Sequence, residues 1–355
     1  HAFKQSAWFD WPEAFRNRNQ RALQEFAVEH ANEINKTKWV QMIFHQQWHE
    51  LRSYCNERNI ELMGDMPMYV AHDSADVWGN REIFTLDENG SVTEVSGVPP
   101  DIFNDDGQLW GTPLFKWEVI KKSGYKWWIN RFRRNMELFD MLRLDHFRGF
   151  SDYWAVPANE KTAKAGQWKR GPRHDLFIAV EQSLGKIALI AEDLGEIDEP
   201  VYALRDGQNL PGMNVLQFGF NDAVDNNYLP HHHTKNSVVY TGTHDNNTTI
   251  GWFKCLPPVA KKHLMDYTNK KLNAKNVSEE LCRLAYQSVS QLAVLPIQDI
   301  LSLDESSRMN MPATSSGNWT WRLEQGSLTK AIENKLNRWV ELYGRSASRS
   351  GSNVL

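Results

Sequence analysis

The segment Met141-Leu142-Arg143-Leu144-Asp145-His146-Phe147 is an apolar run, broken by one arginine, that ends on a carboxylate. Two further runs do the same: Ala188-Leu189-Ile190-Ala191 ends on Glu192, and Val238-Val239-Tyr240-Thr241-Gly242-Thr243-His244 ends on Asp245. Buried strands that emerge onto acids are how a (β/α)8 barrel presents chemistry, because its site lies at the C-terminal ends of its strands.

Outward from these runs the chain alternates. Helical patterns near 124–138 and 174–184 precede the first two acids, and a shorter one near 199–206 leads into a strand candidate at 213–218. Residues 257–274 and 278–290 read as helices before a last strand candidate at 292–297. Upstream, 12–59 reads as helical: Pro12 suits a first turn, and Trp39, Ile43, Phe44, Trp48 and Leu51 recur at helical spacing. A strand at 60–66 follows. Strands alternating with helices in this way predict a mainly parallel sheet. Residues 67–118 are rich in Gly, Pro, Asp and Asn and read as a loop-rich excursion, and a long excursion within a compact domain is usually functional. The expected organisation is helices and a first strand over 1–66, an inserted subdomain over 67–118, the remaining barrel over 119–344 and a Ser/Arg-rich disordered tail over 345–355.

Composition describes a folded globule: 41% hydrophobic, net charge −4 and 15 Trp in 355 residues. A sequence pI near 6.3 and scattered basic residues argue against nucleic acid, and no apolar stretch reaches the roughly 20 residues that span a bilayer. Cys55, Cys255 and Cys282 are too dispersed for a disulfide framework or a zinc site, which favours a reducing compartment. His231-His232-His233 has no acid or cysteine at ligand spacing, so no metal is expected. Gly195, Gly212 and Gly242 form no phosphate-binding pattern. A Trp excess fits either core filling or stacking on sugar faces.

Three acids at strand ends meet the needs of glycosidic bond cleavage with retention, which uses one carboxylate as nucleophile and one protonated carboxyl as acid. Asp145 is the nucleophile candidate, because Arg143 lies two residues earlier on the same face and favours the ionised form. An Arg-x-Asp pair taken alone is more often a structural ion pair. Glu192 is the acid/base candidate: desolvation and the nearby acids Asp193 and Asp145 would raise its pKa. Its other reading is an acid at a helix start. Asp245, with His244, is the third group. It would bind sugar hydroxyls or ligate a metal, or simply form an Asx turn or cap.

At these residues the sequence resembles the amylomaltases, or disproportionating enzymes, 4-alpha-glucanotransferases of the alpha-amylase superfamily. The resemblance is carried by Gly64-Asp65-Met66-Pro67-Met68-Tyr69-Val70-Ala71-His72-Asp73-Ser74-Ala75-Asp76-Val77-Trp78 and Gly97-Val98-Pro99-Pro100-Asp101. It continues through Arg143-Leu144-Asp145-His146-Phe147-Arg148-Gly149-Phe150, Ala191-Glu192-Asp193-Leu194-Gly195 and Tyr240-Thr241-Gly242-Thr243-His244-Asp245-Asn246. Near the end, Arg308-Met309-Asn310, Pro312 and Gly317-Asn318-Trp319 fit as well. The match runs from about Trp8 to about Tyr343.

The resemblance implies Asp145 as nucleophile, Glu192 as acid/base and Asp245 as transition-state stabiliser, with Arg143 and His244 in support. It implies that Asp65, Asp76, Trp78, Trp110, His146, Asp193 and Phe218 line glucan subsites. The segment from Val98 to Phe103, with Pro99, Pro100 and Asp101, resembles the loop that overhangs the family's site. Ile102 stands where the family commonly has an aromatic, which implies weaker stacking there. No metal or organic cofactor is implied; the partners are α-1,4-glucan oligosaccharides and glucose, in a plastid or the cytoplasm. The implied fold is an alpha-amylase-type (β/α)8 TIM barrel of which this chain supplies about six of eight strands, N-terminally truncated, with an inserted subdomain. The competing expectations are a retaining α-glucan hydrolase using the same acids, a non-catalytic glucan-binding protein, and a metal-dependent barrel hydrolase built on His-Asp pairs.

Overall fold

The computed structural model describes residues 3–100, 104–220, 226–314 and 316–346. The chain divides into two compact units, His1–Gln208 and Asn209–Leu355.

In the first unit a parallel three-stranded sheet has the order β1 (Met63–Met66), β4 (Met141–Leu144), β7 (Leu189–Ala191), while β2 (Glu94–Val98), β3 (Gln108–Pro113), β5 (Asp152–Pro157) and β6 (Gln167–Arg170) form a second sheet. All four residues of β4 are buried, as expected of a central parallel strand covered on both faces. The register sets Asp65 beside Arg143 and Arg143 beside Ile190. Side chains alternate along a strand, so Asp65, Arg143 and the positions two residues further on share one face. Helix Lys126–Leu138 buries Trp128, Ile129 and Phe132 on one side and packs on helix His174–Leu184, which buries Leu176, Phe177 and Val180. Asp140 ties the entries of β1 and β4 together: its carboxylate accepts from the Leu62 amide at 2.8 Å and from Arg52 at 2.7 Å.

The expected helical stretch upstream contains helices Glu13–Arg16, Gln20–Glu29 and Ala31–Asn56. The spacing of Trp39, Ile43, Phe44, Trp48 and Leu51 is helical, but Trp39, Phe44 and Leu51 are exposed. The long helix is fastened near its C-terminal end, through Arg52 and through Trp48, whose indole donates to the Leu138 carbonyl at 2.9 Å.

The loop-rich excursion has structure that spacing did not reveal. Strands β2 (Glu94–Val98) and β3 (Gln108–Pro113) join β5 (Asp152–Pro157) and β6 (Gln167–Arg170) in an antiparallel sheet of order β3-β2-β5-β6. Half of this sheet therefore comes from beyond the 67–118 segment. Its core is small, with Val95, Val156 and Ala163 buried together.

The second unit holds a parallel sheet of order β10 (Leu292–Val294), β9 (Ser237–Tyr240), β8 (Gly212–Val215). The expected strand at 213–218 turns helical after Val215, at Leu216–Gly219. Leu216, Val239, Ile250, Phe253, Leu264 and Leu281 form the core against helices Thr249–Cys255, Pro258–Thr268 and Val277–Gln287. The second of these was expected to reach 274. It stops at Asn269, whose left-handed φ of 52° makes the cap. Arg345, assigned by composition to a disordered tail, is instead held by the carbonyls of Tyr286 and Ser288 at 2.8 and 2.7 Å; residues 347–355 lie outside the described residues. Among the described residues no helix is long and apolar enough to cross a membrane.

Gly97 marks an irregularity in the β2–β3 register, and a Cβ there would stand 2.3 Å from the Gln108 carbonyl oxygen. Because the obstacle is backbone, Gly97→Ala must push β3 away. The variant is expected to lose about 1–3 kcal/mol of stability in urea unfolding, and an unchanged midpoint would refute this account of the bulge.

Candidate active site

Asp145 is the first residue after β4 and Glu192 the first after β7, and the backbone ladder continues past both strand ends. The Asp145 amide donates to Met66 O, the Glu192 amide to Leu144 O and the Phe147 amide to Glu192 O, each at 3.1 Å. Both carboxylates thus leave a hydrogen-bonded frame rather than a free loop.

Arg143 is buried beneath them, and its two terminal nitrogens fork. One meets Asp65 Oδ2 at 2.5 Å and the other Asp145 Oδ1 at 3.0 Å. Burial pulls the guanidinium's pKa down, and the carboxylates of Asp65, Asp145 and Glu192 more than reverse this, so its charge is locked on. The ion-pair reading of Arg-x-Asp is correct here, and it is also what keeps Asp145 beside a fixed cation.

Glu192 is in the opposite situation. Burial pushes its carboxyl up to about 8; Arg143 draws it down, the Asp145 charge drives it up, and the His146 amide lowers it again. That amide donates to Glu192 Oε2 at 2.7 Å. An oxygen that accepts an N–H is the poorer seat for a proton, so the proton belongs on Oε1. No helix starts at Glu192, because the next one begins at Glu199. His146 has a left-handed φ of 49°, a conformation that costs about 1–3 kcal/mol and aims its amide at the carboxylate. Its ring is held neutral, pushed down to about 4 by burial and by Arg148. The ring lies edge-on to Trp110 at 4.7 Å and near Tyr69 at 6.1 Å.

Asp245 belongs to the second unit and lies five residues beyond Tyr240, the last residue of β9, rather than at the strand end itself. Its carboxylate accepts from Asn310 Nδ2 at 2.6 Å and its carbonyl from Arg308 Nη2 at 2.6 Å. His244 Nε2 is 3.4 Å from Asp245 Oδ2, and its ring packs against Trp319. The turn around Asp245 is closed by the next residue: the Thr243 amide and hydroxyl both donate to Asn246 Oδ1.

The other expected positions divide. Trp110 is on β3 and half-exposed beside His146. Pro99 and Pro100 follow β2, while Asp101 and Phe103 lie outside the described residues. Asp193 is buried and ion-paired with Arg205 at 2.6 Å, an internal role for a residue expected to face sugar. Trp78 spends its indole N–H on the Phe15 carbonyl and packs edge-on against Trp11. Asp76 is exposed in the first turn of helix Ala75–Gly79, within electrostatic reach of Arg131. Phe218 is exposed, with Tyr228 edge-on at 5.5 Å. The three histidines go elsewhere: His231 to the Tyr267 hydroxyl, His232 to Asn226 O, and buried His233 to Ser288 Oγ and Tyr228 O. Arg308 and Asn310 lie 63 and 65 residues beyond Asp245, and nothing local in the sequence reveals their grip on it.

The two units define a parallel α/β protein in which carboxylates follow buried strands. The family profile described as 4-alpha-glucanotransferase matches residues 1–329, and the chain belongs to that family. It is 45% identical over 342 residues to the chloroplastic/amyloplastic 4-alpha-glucanotransferase of Solanum tuberosum, covering 96% of this chain and 59% of that protein. It is 44% identical over 345 residues to the 4-alpha-glucanotransferase of Streptococcus pneumoniae, covering 97% of this chain and 68% of the relative. The chain thus spans about three fifths of the potato protein. Among solved structures, the amylomaltase from Streptococcus agalactiae in complex with acarbose superposes with a TM-score of 0.94 at 38% identity, over 98% of this chain and 70% of that one. This likeness bears out the (β/α)8 class expected from the strand pattern and the alpha-amylase type implied by the family resemblance.

Glu192 titrates near 4.5 when unperturbed and near 8 in the fold. Between those values the folded state binds the extra proton, so Glu192 lowers stability progressively as pH rises through this window. Glu192→Gln is permanently neutral and escapes that loss. It is expected to melt above the wild type at pH 8 and to converge with it near pH 4.5; a gap independent of pH would contradict the burial of this carboxyl.

Proposed function

We propose that this chain acts as a 4-alpha-glucanotransferase, moving α-1,4-glucan segments to glucose or glucan acceptors by retaining double displacement. The observation that carries the reading is the opposed state of two neighbouring carboxyls. Asp145 is paired to Arg143, and Glu192 is held protonated to about pH 8. Those are the forms required of a nucleophile and a general acid.

In the first displacement Asp145 attacks the anomeric carbon as the glycosidic bond breaks. The Glu192 proton, on the oxygen not bonded to the His146 amide, goes to the departing oxygen. In the second, Glu192 takes the proton of an acceptor 4-hydroxyl, whose oxygen displaces Asp145. Two inversions give net retention. Asp245, fixed by Asn310 and Arg308, is assigned to the sugar hydroxyls as positive charge develops. Arg143, Asp65, His146 and Trp110 would complete the donor site. The solved relative's complex with acarbose supports glucan oligosaccharides as ligands. The compartment we infer is a plastid or the cytoplasm, the former following the chloroplastic naming of the potato relative.

Incubation with maltotriose, products separated by length, tests the reading. Glucose together with chains longer than three units is expected, and Asp145→Asn is expected to abolish both while remaining folded. Glucose and maltose alone would convert the assignment to hydrolysis, and glucan binding without turnover would identify a binding protein. In the active protein, kcat/KM is expected to fall as pH rises through about 8, because the general acid is then lost. A basic limb that persists in Glu192→Gln would exclude Glu192 as its source.

A further inference from the structure

The loop that carries His244 and Asp245 runs from the end of β9 to the start of helix Thr249–Cys255, and one buried side chain grips both of its ends. Asp299 is 1% exposed. It accepts from the Thr241 hydroxyl at 2.5 Å, where the loop begins, and from the Thr249 amide and hydroxyl, both at 2.8 Å, where it ends. Its carbonyl accepts from the Ser278 hydroxyl at 2.9 Å, fixing the short helix Ile297–Ile300 to helix Val277–Gln287. The preceding residue, Gln298, is also buried and donates to the Ser307 carbonyl at 3.2 Å. Ser307 immediately precedes Arg308, which with Asn310 holds Asp245 from the other side.

Two adjacent residues therefore tie down both segments that meet at Asp245. A buried carboxylate needs this many donors to offset its desolvation, and here every one of those three donors belongs to a residue bounding the loop. We propose that Gln298 and Asp299 are positioning residues that set the placement of Asp245, acting through the 241–249 loop and the 307–310 segment. The proposal rests on the catalytic reading of Asp245 given above. Gln298 and Asp299 act at the ends of the segments that meet at Asp245. Their effect is on where it stands, and a displacement of about 1 Å at a reacting centre can cost on the order of 100-fold in rate.

The test is Asp299→Asn, which keeps the volume but turns one acceptor oxygen into a donor, with Thr249→Val as a milder change that removes one hydroxyl and leaves the amide. Each is compared with wild type for thermal unfolding, for hydrogen exchange at the amides of residues 243–247, and for kcat and KM on maltotriose. The expected result is faster exchange in that loop, a kcat reduced tenfold or more in Asp299→Asn and less in Thr249→Val, and KM changed by less than about threefold. Unchanged loop exchange in folded variants would overturn the brace whatever the activity. Loosened exchange with unchanged kcat would show that the loop is braced without bearing on rate, and would also overturn the proposal. A wild type that makes no transfer products, with variants that still loosen the loop, would instead condemn the transferase reading.

Discussion

The guanidinium of Arg143 is the constraint on which the first unit's site depends. It sits in the middle strand of β1-β4-β7, where a charge is tolerated only if paired. The parallel register supplies Asp65 from the neighbouring strand and the pleat supplies Asp145 from two residues along. Neither carboxylate is fully buried, so each keeps some contact with water while its position is set by a cation that cannot move. The arrangement is a fixed charge below and reactive oxygens above, produced by strand geometry alone.

Glu192 and His146 then divide the remaining electrostatics. Burial acts on both, and it disfavours the charged form of each, so the acid is raised and the base is lowered. The result at neutral pH is a protonated Glu192 carboxyl and a neutral His146 imidazole, while Asp65 and Asp145 stay paired to Arg143. The strained backbone at His146 belongs to the same design, since its amide selects which Glu192 oxygen stays unprotonated.

Much of this was legible in the sequence for a simple reason. Asp145 and Glu192 each directly follow a short apolar run, and a strand converts sequence adjacency into spatial position at a fixed rise per residue. Pairings made over long separations were not legible. β5 and β6 joining β2 and β3 is one case, and Asp193 turning to Arg205 rather than outward is another. Helical spacing likewise identified the Ala31–Asn56 helix but not that Trp39 and Phe44 would be exposed, because periodicity reports a face and not its partner. Asp299 carries a signal of its own: an acid in Leu295-Pro296-Ile297-Gln298-Asp299-Ile300-Leu301 is embedded in apolar residues, and a buried acid needs donors from elsewhere in the chain.

The distance of each acid from its strand explains why the two units organise their carboxylates differently. Asp145 and Glu192 follow their strands directly, and the ladder that orders the strand orders them too. Asp245 lies five residues past β9, beyond the reach of any ladder, on a loop whose backbone has its own conformational freedom. Fixing it takes side chains: Asn246 closes the turn, Asn310 and Arg308 hold the residue itself, and Asp299 holds the loop ends. A strand-end acid is thus positioned by backbone and tolerates change around it. A loop acid is positioned by a network of side chains, and its placement is exposed to substitution at the far ends of that network.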